Sequence, residues 1–346
     1  MKVSIIGGGG LVGSMAAYAL QCGGIVSGIC VIDANKDVAQ GVATDLLNGA
    51  CLVPGDQRIT AGDYGDIPSS DIVVITAGLR RKPDESRLDL INRNVDLFLG
   101  ILEQVKAAGL KQNACLVVVS NPVDVLTYLA VHCAGLPWQR VIGLGTQLDT
   151  ARFRSYLARR LQAPPTQVQA LILGEHGDSM VPIWSSATVA GLPLEQWPGF
   201  SPALAKEVFE ETKTAGATLI KLKGGSGFGV GLSIREVIHA LAQDSRRVLP
   251  VSTLQHGLYG AHDVCLSVPT VVGCGGSREQ VELPLTQKER TGIQNSARVL
   301  REIIDQVEAR VGKVRANVTE SPRPRGNAVP DGNGRIIPRS AWQTAK

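Results

Sequence analysis

The stretch "VSIIGGGGLVGSMAAYAL" (residues 3–20) decides the fold of this chain. A short apolar run, residues 3–6, leads into four successive glycines, and the apolar spacing of a helix begins at Leu11. Glycines at this point let the backbone approach a pyrophosphate group, whose charge then faces the N-terminus of the helix. Two spacings of the dinucleotide-binding fingerprint fit, and together they use Gly7, Gly8, Gly10 and Gly13. The stretch therefore predicts a strand, a phosphate-binding turn and a helix.

One acidic residue indicates which dinucleotide the turn binds. Asp33 lies twenty residues after Gly13 and follows the apolar run of residues 29–32. A carboxylate at this place accepts hydrogen bonds from both ribose hydroxyl groups of an adenosine, and it repels a 2′-phosphate. We therefore predict NAD, rather than NADP, as the cofactor.

The rest of the first 145 residues repeats the alternation of strand and helix. Three further apolar runs predict strands, at residues 29–32, 72–75 and 116–119. Helical spacing follows these runs at residues 38–47, 88–105 and 123–131. Because parallel strands are joined by crossover helices, this order predicts an α/β fold: a doubly wound parallel sheet with helices on both faces.

The second half of the chain has a different pattern. Strands are predicted at residues 167–173, 183–189 and 264–272, and helices at 202–222, 231–247 and 285–310. This mixture predicts an α+β domain. We therefore divide the chain into a dinucleotide-binding domain (residues 1–145), an α+β substrate domain (residues 146–315) and a basic tail (residues 316–346). The tail is rich in proline, glycine and arginine and is predicted to be disordered.

Composition excludes several classes of function. Residues 321–346 contain five cations and one aspartate, which accounts for the net charge of +4. The rest of the chain therefore carries no net charge. No basic stripe interleaved with aromatic residues is present, and we predict no nucleic-acid partner. No apolar run approaches the roughly 18 residues that span a bilayer, so no membrane segment is predicted. Seven cysteines without a Cys-x-x-Cys pair or a matching histidine spacing predict reduced thiols in a cytoplasmic protein, and no metal site.

Polar residues around residue 150 and residue 176 form a candidate catalytic group. Asp149 and Arg152 are three residues apart in a helical stretch and share a face, while His176 follows a strand in a glycine-flanked loop. If this loop folds over the helix, a carboxylate, an imidazole and a guanidinium group converge. Arg87 is a further candidate, because it is a cation in the first turn of a helix, where the helix dipole disfavours it.

Several ordered motifs resemble the NAD-dependent lactate and malate dehydrogenases, whose fold joins a Rossmann domain to an α+β substrate domain. The resemblance covers nearly the whole chain to about residue 312. It rests on Asp33 and on "GGGGLVG" (7–13), "ATDLLNG" (43–49), "AGLRRKPDESRLDLINRN" (77–94), "SNPVDVLTY" (120–128), "GLGTQLDTARFR" (143–154) and "GEHGDSMVP" (174–182). It implies an oxidoreductase that assembles as a homodimer or homotetramer.

The resemblance also implies roles for individual residues. His176 is implied to be the general acid/base that exchanges a proton with the substrate, and Asp149 to fix its tautomer and favour its charged form. Arg87 is implied to polarise the substrate carbonyl group, and Arg152 to grip the carboxylate with its two-pronged guanidinium group. The implied substrate-binding residues are Arg81, Arg87, Asn121, Arg152 and Ser226. The implied cofactor-binding residues are Gly7, Gly8, Gly10, Gly13, Asp33, Asn94 and Asn121.

Residues 78–87 resemble the loop that closes over the substrate in this family. Arg81 stands where malate-specific relatives carry arginine and lactate-specific relatives carry glutamine. A second cation in a closing loop predicts a second substrate carboxylate, because removing one partner of a buried charge pair costs about 3–5 kcal/mol. We therefore predict malate dehydrogenase, an enzyme of the tricarboxylic acid cycle. The alternative is an L-lactate dehydrogenase or a broad 2-hydroxy-acid dehydrogenase, because Asp84 and Glu85 depart from the malate pattern.

Two other classes of function fit these motifs less well. The NAD-dependent glycosidases share the fold but need a metal held by cysteine and histidine, and here the "GEHGDS" loop and the arginines stand instead. A non-catalytic nucleotide sensor has no need of His176 or Arg152, and both residues are present. The motifs therefore favour a dehydrogenase.

Overall fold

The computed structural model describes residues 1–80 and 84–312. Arg81 and the whole predicted tail (residues 316–346) lie outside the described residues. The strands are β1 (Lys2–Ile6), β2 (Gly28–Ile32), β3 (Arg58–Gly62), β4 (Ile72–Ile75), β5 (Cys115–Val118), β6 (Val141–Gly143), β7 (Val168–Leu173), β8 (Val181–Val189), β9 (Leu192–Pro193), β10 (Arg247–His256), β11 (His262–Gly273) and β12 (Gly276–Gln280). The helices are α1 (Leu11–Gly23), α2 (Lys36–Asn48), α3 (Arg87–Ala108), α4 (Val123–Cys133), α5 (Gln147–Arg160), α6 (Pro202–Lys223), α7 (Phe228–Gln243) and α8 (Gln287–Val311).

Nine of these strands form one sheet, in the order β12-β11-β10-β6-β5-β4-β1-β2-β3. Strands β1 to β6 run parallel to one another, which confirms the doubly wound parallel sheet predicted from the sequence. The second half of the chain extends this sheet. Strand β10 pairs antiparallel with β6 through Ser252 and Gly143, and β11 and β12 continue the antiparallel pairing. The sequence pattern does not predict this extension.

Both faces of the sheet are buried. Strand β4 shows the alternation: Val73 and Ile75 belong to one cluster of buried side chains, and Ile72 and Val74 belong to the other. The first cluster also contains side chains of α3, α4 and α8, while the second contains side chains of α1, α2 and α7. Strands that are covered on both faces have continuous apolar sequences, as "IVVI" in β4 does.

Helix α3 shows how the sequence sets its own boundaries and its buried face. The Ser86 hydroxyl group accepts a hydrogen bond from the Asp89 N–H and caps the start, and Gly109, with φ of 90°, ends the helix. The predicted apolar stripe is buried from Ile91 onward, but Leu88 in the first turn is 47% exposed. Among the described residues, we find no helix with the length and apolar character that a membrane crossing requires.

The carboxyl ends of the parallel strands position the candidate site. The loops after β1, β2 and β5 carry the glycine turn, Asp33 and Asn121, and α5 begins shortly after β6. Strand β7 belongs to a second sheet, β7-β8-β9, and Gly174 at its end pairs with Ser267 of β11. This pairing ties the His176 loop to the large sheet.

Candidate active site

The structure brings three of the candidate residues together. His176 Nδ1 lies 2.5 Å from Asp149 Oδ2, and Arg152 Nη1 donates to Asp149 Oδ1 at 3.2 Å. Asp149 and Arg152 are one turn apart on α5, and the Asp149 side chain is only 1% exposed. One buried carboxylate therefore holds an imidazole with one oxygen and a guanidinium group with the other.

The electrostatics of this group favour a charged imidazole. Burial alone lowers the pKa of His176, but the Asp149 carboxylate outweighs it and, with a smaller contribution from Asp124, raises the pKa to about 9. Burial raises the pKa of Asp149, yet its two cationic neighbours, His176 and Arg152, hold it below the usual range. The His176 side chain is still 25% exposed, and within the described residues its Nε2 has no hydrogen-bond partner. This nitrogen can therefore exchange a proton with a ligand.

The His176 loop is fixed on both sides of the histidine. Before it, Gly174 exchanges two main-chain hydrogen bonds with Ser267, each at 2.9 Å. The His176 N–H itself donates to Asp124 Oδ2 at 2.7 Å. After it, Ser179 donates from its N–H and its hydroxyl group to the buried carboxylate of Glu175. The imidazole ring of His176 therefore belongs to a loop that β11 and α4 hold in place.

Arg87 does not join this group in the structure. It is the first residue of α3, and its Nη1 donates to Asp178 Oδ2 at 3.0 Å. The two side chains are 66% and 84% exposed. They line a cleft of about 530 Å³, together with residues of the His176 loop and of α8. Arg81, the other cation of the predicted closing loop, lies outside the described residues.

Two predicted substrate-binding residues lie in loops that lead into helices. Asn121 follows β5, is exposed, and is joined to Pro122 by a cis peptide bond. Its Oδ1 accepts from the Val123 N–H at 3.3 Å. Ser226 is partly exposed in the loop before α7. Neither side chain has a described hydrogen bond to the His176 group, so their link to the substrate stays a prediction.

The glycine turn fits the pyrophosphate of NAD. Gly7 has φ of 82°, and a Cβ atom there would lie 2.5 Å from the Ala77 nitrogen; a Cβ atom on Gly13 would lie 2.4 Å from the Gly7 oxygen. The N–H groups of Gly7 and Gly8 both donate to Ile32 O, which closes the turn against β2. At the exposed Gly10, α1 begins with no side-chain cap and no acid in its first turn, among the described residues. Its positive dipole end therefore stays open to an anionic group.

Asp33 and Asn94 are both tied to main chain near this turn. Asp33 accepts from the Gly9 N–H with Oδ2 and from the Asn35 N–H with Oδ1, both at 3.0 Å. The acid and the glycine turn therefore form one unit, as the binding of an adenosine ribose beside a pyrophosphate requires. Asn94 is buried on α3. Its side-chain oxygen accepts a hydrogen bond from the Leu79 N–H, and its side-chain nitrogen donates one to the Leu79 carbonyl oxygen. In this arrangement Asn94 holds the start of the predicted closing loop.

Sequence reasoning missed three acids of the site: Asp124, Glu175 and Asp178. Glu175 and Asp178 lie in the quoted segment "GEHGDSMVP", but only the histidine receives a role from the motif. Asp124 is a single charge inside the apolar run "VDVLTYLAV". Such a charge is rarely buried without a partner, and this was the available signal.

Comparison with known protein families covers most of the chain. Residues 1–143 match the family described as lactate/malate dehydrogenase, NAD binding domain. Residues 146–311 match the family described as lactate/malate dehydrogenase, alpha/beta C-terminal domain. The L-lactate dehydrogenase of Synechococcus sp. (strain JA-3-3Ab) is 41% identical over 308 residues, which cover 89% of this chain and 99% of that protein. The L-lactate dehydrogenase of Geobacillus thermodenitrificans is 40% identical over 307 residues, with coverages of 88% and 96%.

The solved structures give the same result. The minor L-lactate dehydrogenase of Enterococcus mundtii, in its ligands-bound form, shares 36% sequence identity and a TM-score of 0.85. The match covers 88% of this chain and 98% of that one. The lactate dehydrogenase MGS-M5 from a deep-sea metagenome library shares 35% identity, also with a TM-score of 0.85. The fold of this chain therefore corresponds to that of solved lactate dehydrogenases.

Proposed function

The chain belongs to the lactate/malate dehydrogenase family, whose members use NAD to oxidise 2-hydroxy acids, and from this premise we propose that it is an L-lactate dehydrogenase. In this proposal it interconverts L-lactate and pyruvate. The observation that carries the substrate assignment is the similarity of almost the whole chain to proteins named L-lactate dehydrogenase, at 40–41% identity.

The prediction of malate dehydrogenase, with its place in the tricarboxylic acid cycle, is wrong. It is overturned by these relatives and by the solved lactate dehydrogenase structures. The prediction gave decisive weight to one cation, Arg81, although substrate selection by a closing loop is a sum over several side chains. Of the neighbouring acids, Glu85 is almost buried and forms an ion pair with Arg93 at 2.6 Å. The alternative reading, with pyruvate and lactate as substrates, is the one that the relatives support.

The proton transfer is proposed to pass through His176. When bound, NADH supplies the hydride that adds to C2 of pyruvate, and NAD⁺ accepts it in the reverse direction. His176 donates the proton of the new hydroxyl group from Nε2, because Asp149 engages the other ring nitrogen. Asp149 keeps the imidazole charged near neutral pH, so the proton is available when the hydride arrives.

Two arginines are proposed to orient the substrate. Arg152 grips the carboxylate of pyruvate with the part of its guanidinium group that is not bonded to Asp149. Arg87 leaves Asp178 when the loop closes, and it then stabilises the negative charge that develops on the carbonyl oxygen. Because the Arg87–Asp178 pair is exposed, it opposes this movement by no more than about 1 kcal/mol.

The preference between two keto acids tests the proposed function. We expect kcat/KM for NADH-dependent reduction of pyruvate to exceed that of oxaloacetate by at least about tenfold, as in an enzyme whose pocket takes one carboxylate, here the one that Arg152 is proposed to hold. The measurement is the initial loss of NADH absorbance with each substrate. Oxaloacetate must be freshly dissolved, since it decarboxylates to pyruvate. Equal or faster reduction of oxaloacetate contradicts the proposal.

The pH dependence follows from the raised pKa of His176. Pyruvate reduction needs the protonated imidazole, which is present below a pKa of about 9 and is lost as the pH rises through it. We therefore expect kcat/KM for pyruvate to be level near neutral pH and to fall about tenfold per pH unit above pH 9. Lactate oxidation needs the neutral imidazole, so its kcat/KM rises over the same range. A pyruvate profile that falls already at pH 6 would show that Asp149 does not hold the charge.

The domain division, the assembly and the location of the protein are also proposals. The family matches at residues 1–143 and 146–311 support a boundary between residues 145 and 146. The whole of the proposed tail (residues 316–346) lies outside the described residues. A homodimer or homotetramer rests on the family resemblance, and a cytoplasmic location rests on the pattern of the seven cysteines.

A further inference from the structure

Asp124 has no part in the mechanism described above, although it contacts the catalytic histidine. We propose that Asp124 is a second positioning carboxylate of the acid–base pair: it anchors the main chain of His176 and its charge favours the imidazolium form. The proposal rests on the proposed function, in which His176 exchanges the substrate proton.

The geometry gives Asp124 a different hold on the histidine from that of Asp149. Asp149, on α5, bonds the ring, while Asp124, in the first turn of α4, bonds the main-chain N–H at 2.7 Å. Asp124 is 2% exposed. It also lies three residues after Asn121, a proposed substrate residue. One hydrogen bond therefore joins the two loops that carry Asn121 and His176.

A purely structural role does not explain why this residue is charged. A neutral asparagine accepts a hydrogen bond from a main-chain N–H as well, without the cost of removing a charge from water. Oδ1 of Asp124 is buried, and among the described residues the Ser252 hydroxyl group and the His176 N–H support the carboxylate, since both lower its pKa. Two neutral donors do not remove the cost of burying a charge, which an asparagine at this position would not have. The negative charge of Asp124 is therefore explained by its effect on His176, whose pKa it helps to raise.

The charged and titratable groups around the pair come from several elements. The imidazole faces Asp149 and Arg152 from α5, and of these Asp149 raises its pKa while Arg152 lowers it. Asp124 faces Glu175 from the His176 loop and Cys265 from β11. Burial raises the pKa of the Cys265 thiol well above its usual value, so it stays neutral and does not compensate the carboxylate.

The ionisation of Asp124 sets the pH range in which it acts. Burial raises its pKa to about 6, against the opposing effects of Ser252 and of the His176 N–H. Because the folded-state pKa lies above the usual one, ionisation opposes folding as the pH rises through about 6. The carboxylate is therefore charged, and destabilising, at the pH at which it supports the imidazolium.

Asp124→Asn separates the charge from the hydrogen bond, because the amide oxygen still accepts from the His176 N–H. We expect the pKa of His176 to fall by about one pH unit. At pH values above the His176 pKa of both the wild type and the variant, this lowers kcat/KM for pyruvate about tenfold. The midpoint of thermal unfolding at pH 8 should rise, because the buried charge is gone. Asp124→Ala removes the acceptor as well, so it should also lower kcat at pH 6, where His176 is charged in every variant.

The pKa of His176 is measured by NMR titration of histidine-labelled protein, and its signal among the five histidines is assigned by its loss in His176→Asn. Asp96→Asn is the matched control, since it removes the same charge from an exposed ion pair with Arg310. A folded Asp124→Asn variant with an unchanged His176 pKa overturns the proposal, as does one that is less stable than wild type at pH 8. This titration needs no substrate. Failure of the proposed function appears separately, as wild-type enzyme that does not reduce pyruvate.

Discussion

His176→Asn should lower kcat for pyruvate reduction by about a hundredfold to ten-thousandfold, which is the usual contribution of a positioned general acid. Asparagine fills part of the same space but has no proton to give at neutral pH. NADH affinity should not change, because the residues proposed to bind the pyrophosphate and the adenosine ribose are the glycine turn and Asp33, which follow β1 and β2, and His176 is not among them. Binding is followed by NADH fluorescence and turnover by NADH absorbance, so the two effects are measured independently.

The control for this experiment is His256→Asn. His256 lies at the far end of β10, where its ring packs edge-on against Trp138 with centroids 4.9 Å apart. The His256→Asn substitution changes the same residue type outside the proposed site. Its kcat for pyruvate reduction should stay within about twofold of wild type, as for other substitutions remote from the reaction. A His176→Asn enzyme that keeps a tenth or more of wild-type turnover contradicts the acid/base assignment. The alkaline fall of the pH profile should also vanish in this variant.

The parallel half of the fold was predictable because its strands are buried on both faces. Their apolar runs stand out, and the helix boundaries follow from caps such as Ser86 and Gly109. Five of the strands given above escaped this reasoning, namely β3, β6, β9, β10 and β12. Strand β3 is a partly exposed edge with the sequence "RITAG", and β6 has only three residues. Strand β10 contains Pro250 and polar Ser252, which argue against a central strand when its neighbours are unknown.

The site was predictable only as far as each residue's role depends on its own chemistry. His176 and Asp33 have residue types and flanking motifs that restrict their function, and the structure places Asp149 beside the imidazole. Asp124 was hidden, because its role depends on a loop that begins fifty residues later and that only tertiary structure brings near. The substrate was misjudged for a related reason: selection between two acids is a small difference summed over the closing loop, and Arg81 is one contribution to that sum.

Arg152→Lys should have the second-largest effect, although it keeps the positive charge. The guanidinium group bonds Asp149 through Nη1, and its remaining donors form a fork that a carboxylate can accept. Lysine offers a single point charge, which cannot serve Asp149 and a substrate carboxylate in the same geometry. Arg152 is only 12% exposed, so water does not replace the lost bonds. We expect kcat/KM for pyruvate to fall by about two to three orders of magnitude, mostly through KM.

The pH profile distinguishes loss of substrate binding from damage to the acid–base pair. Because lysine keeps a cation next to Asp149, the alkaline fall assigned to His176 should stay within about half a pH unit of its wild-type position. Arg159→Lys is the matched control on the same helix: Arg159 is 61% exposed and pairs with Glu211. It should leave KM for pyruvate unchanged. If KM in Arg152→Lys rises less than about threefold, the substrate carboxylate is held elsewhere, because a buried bidentate bond contributes more than that.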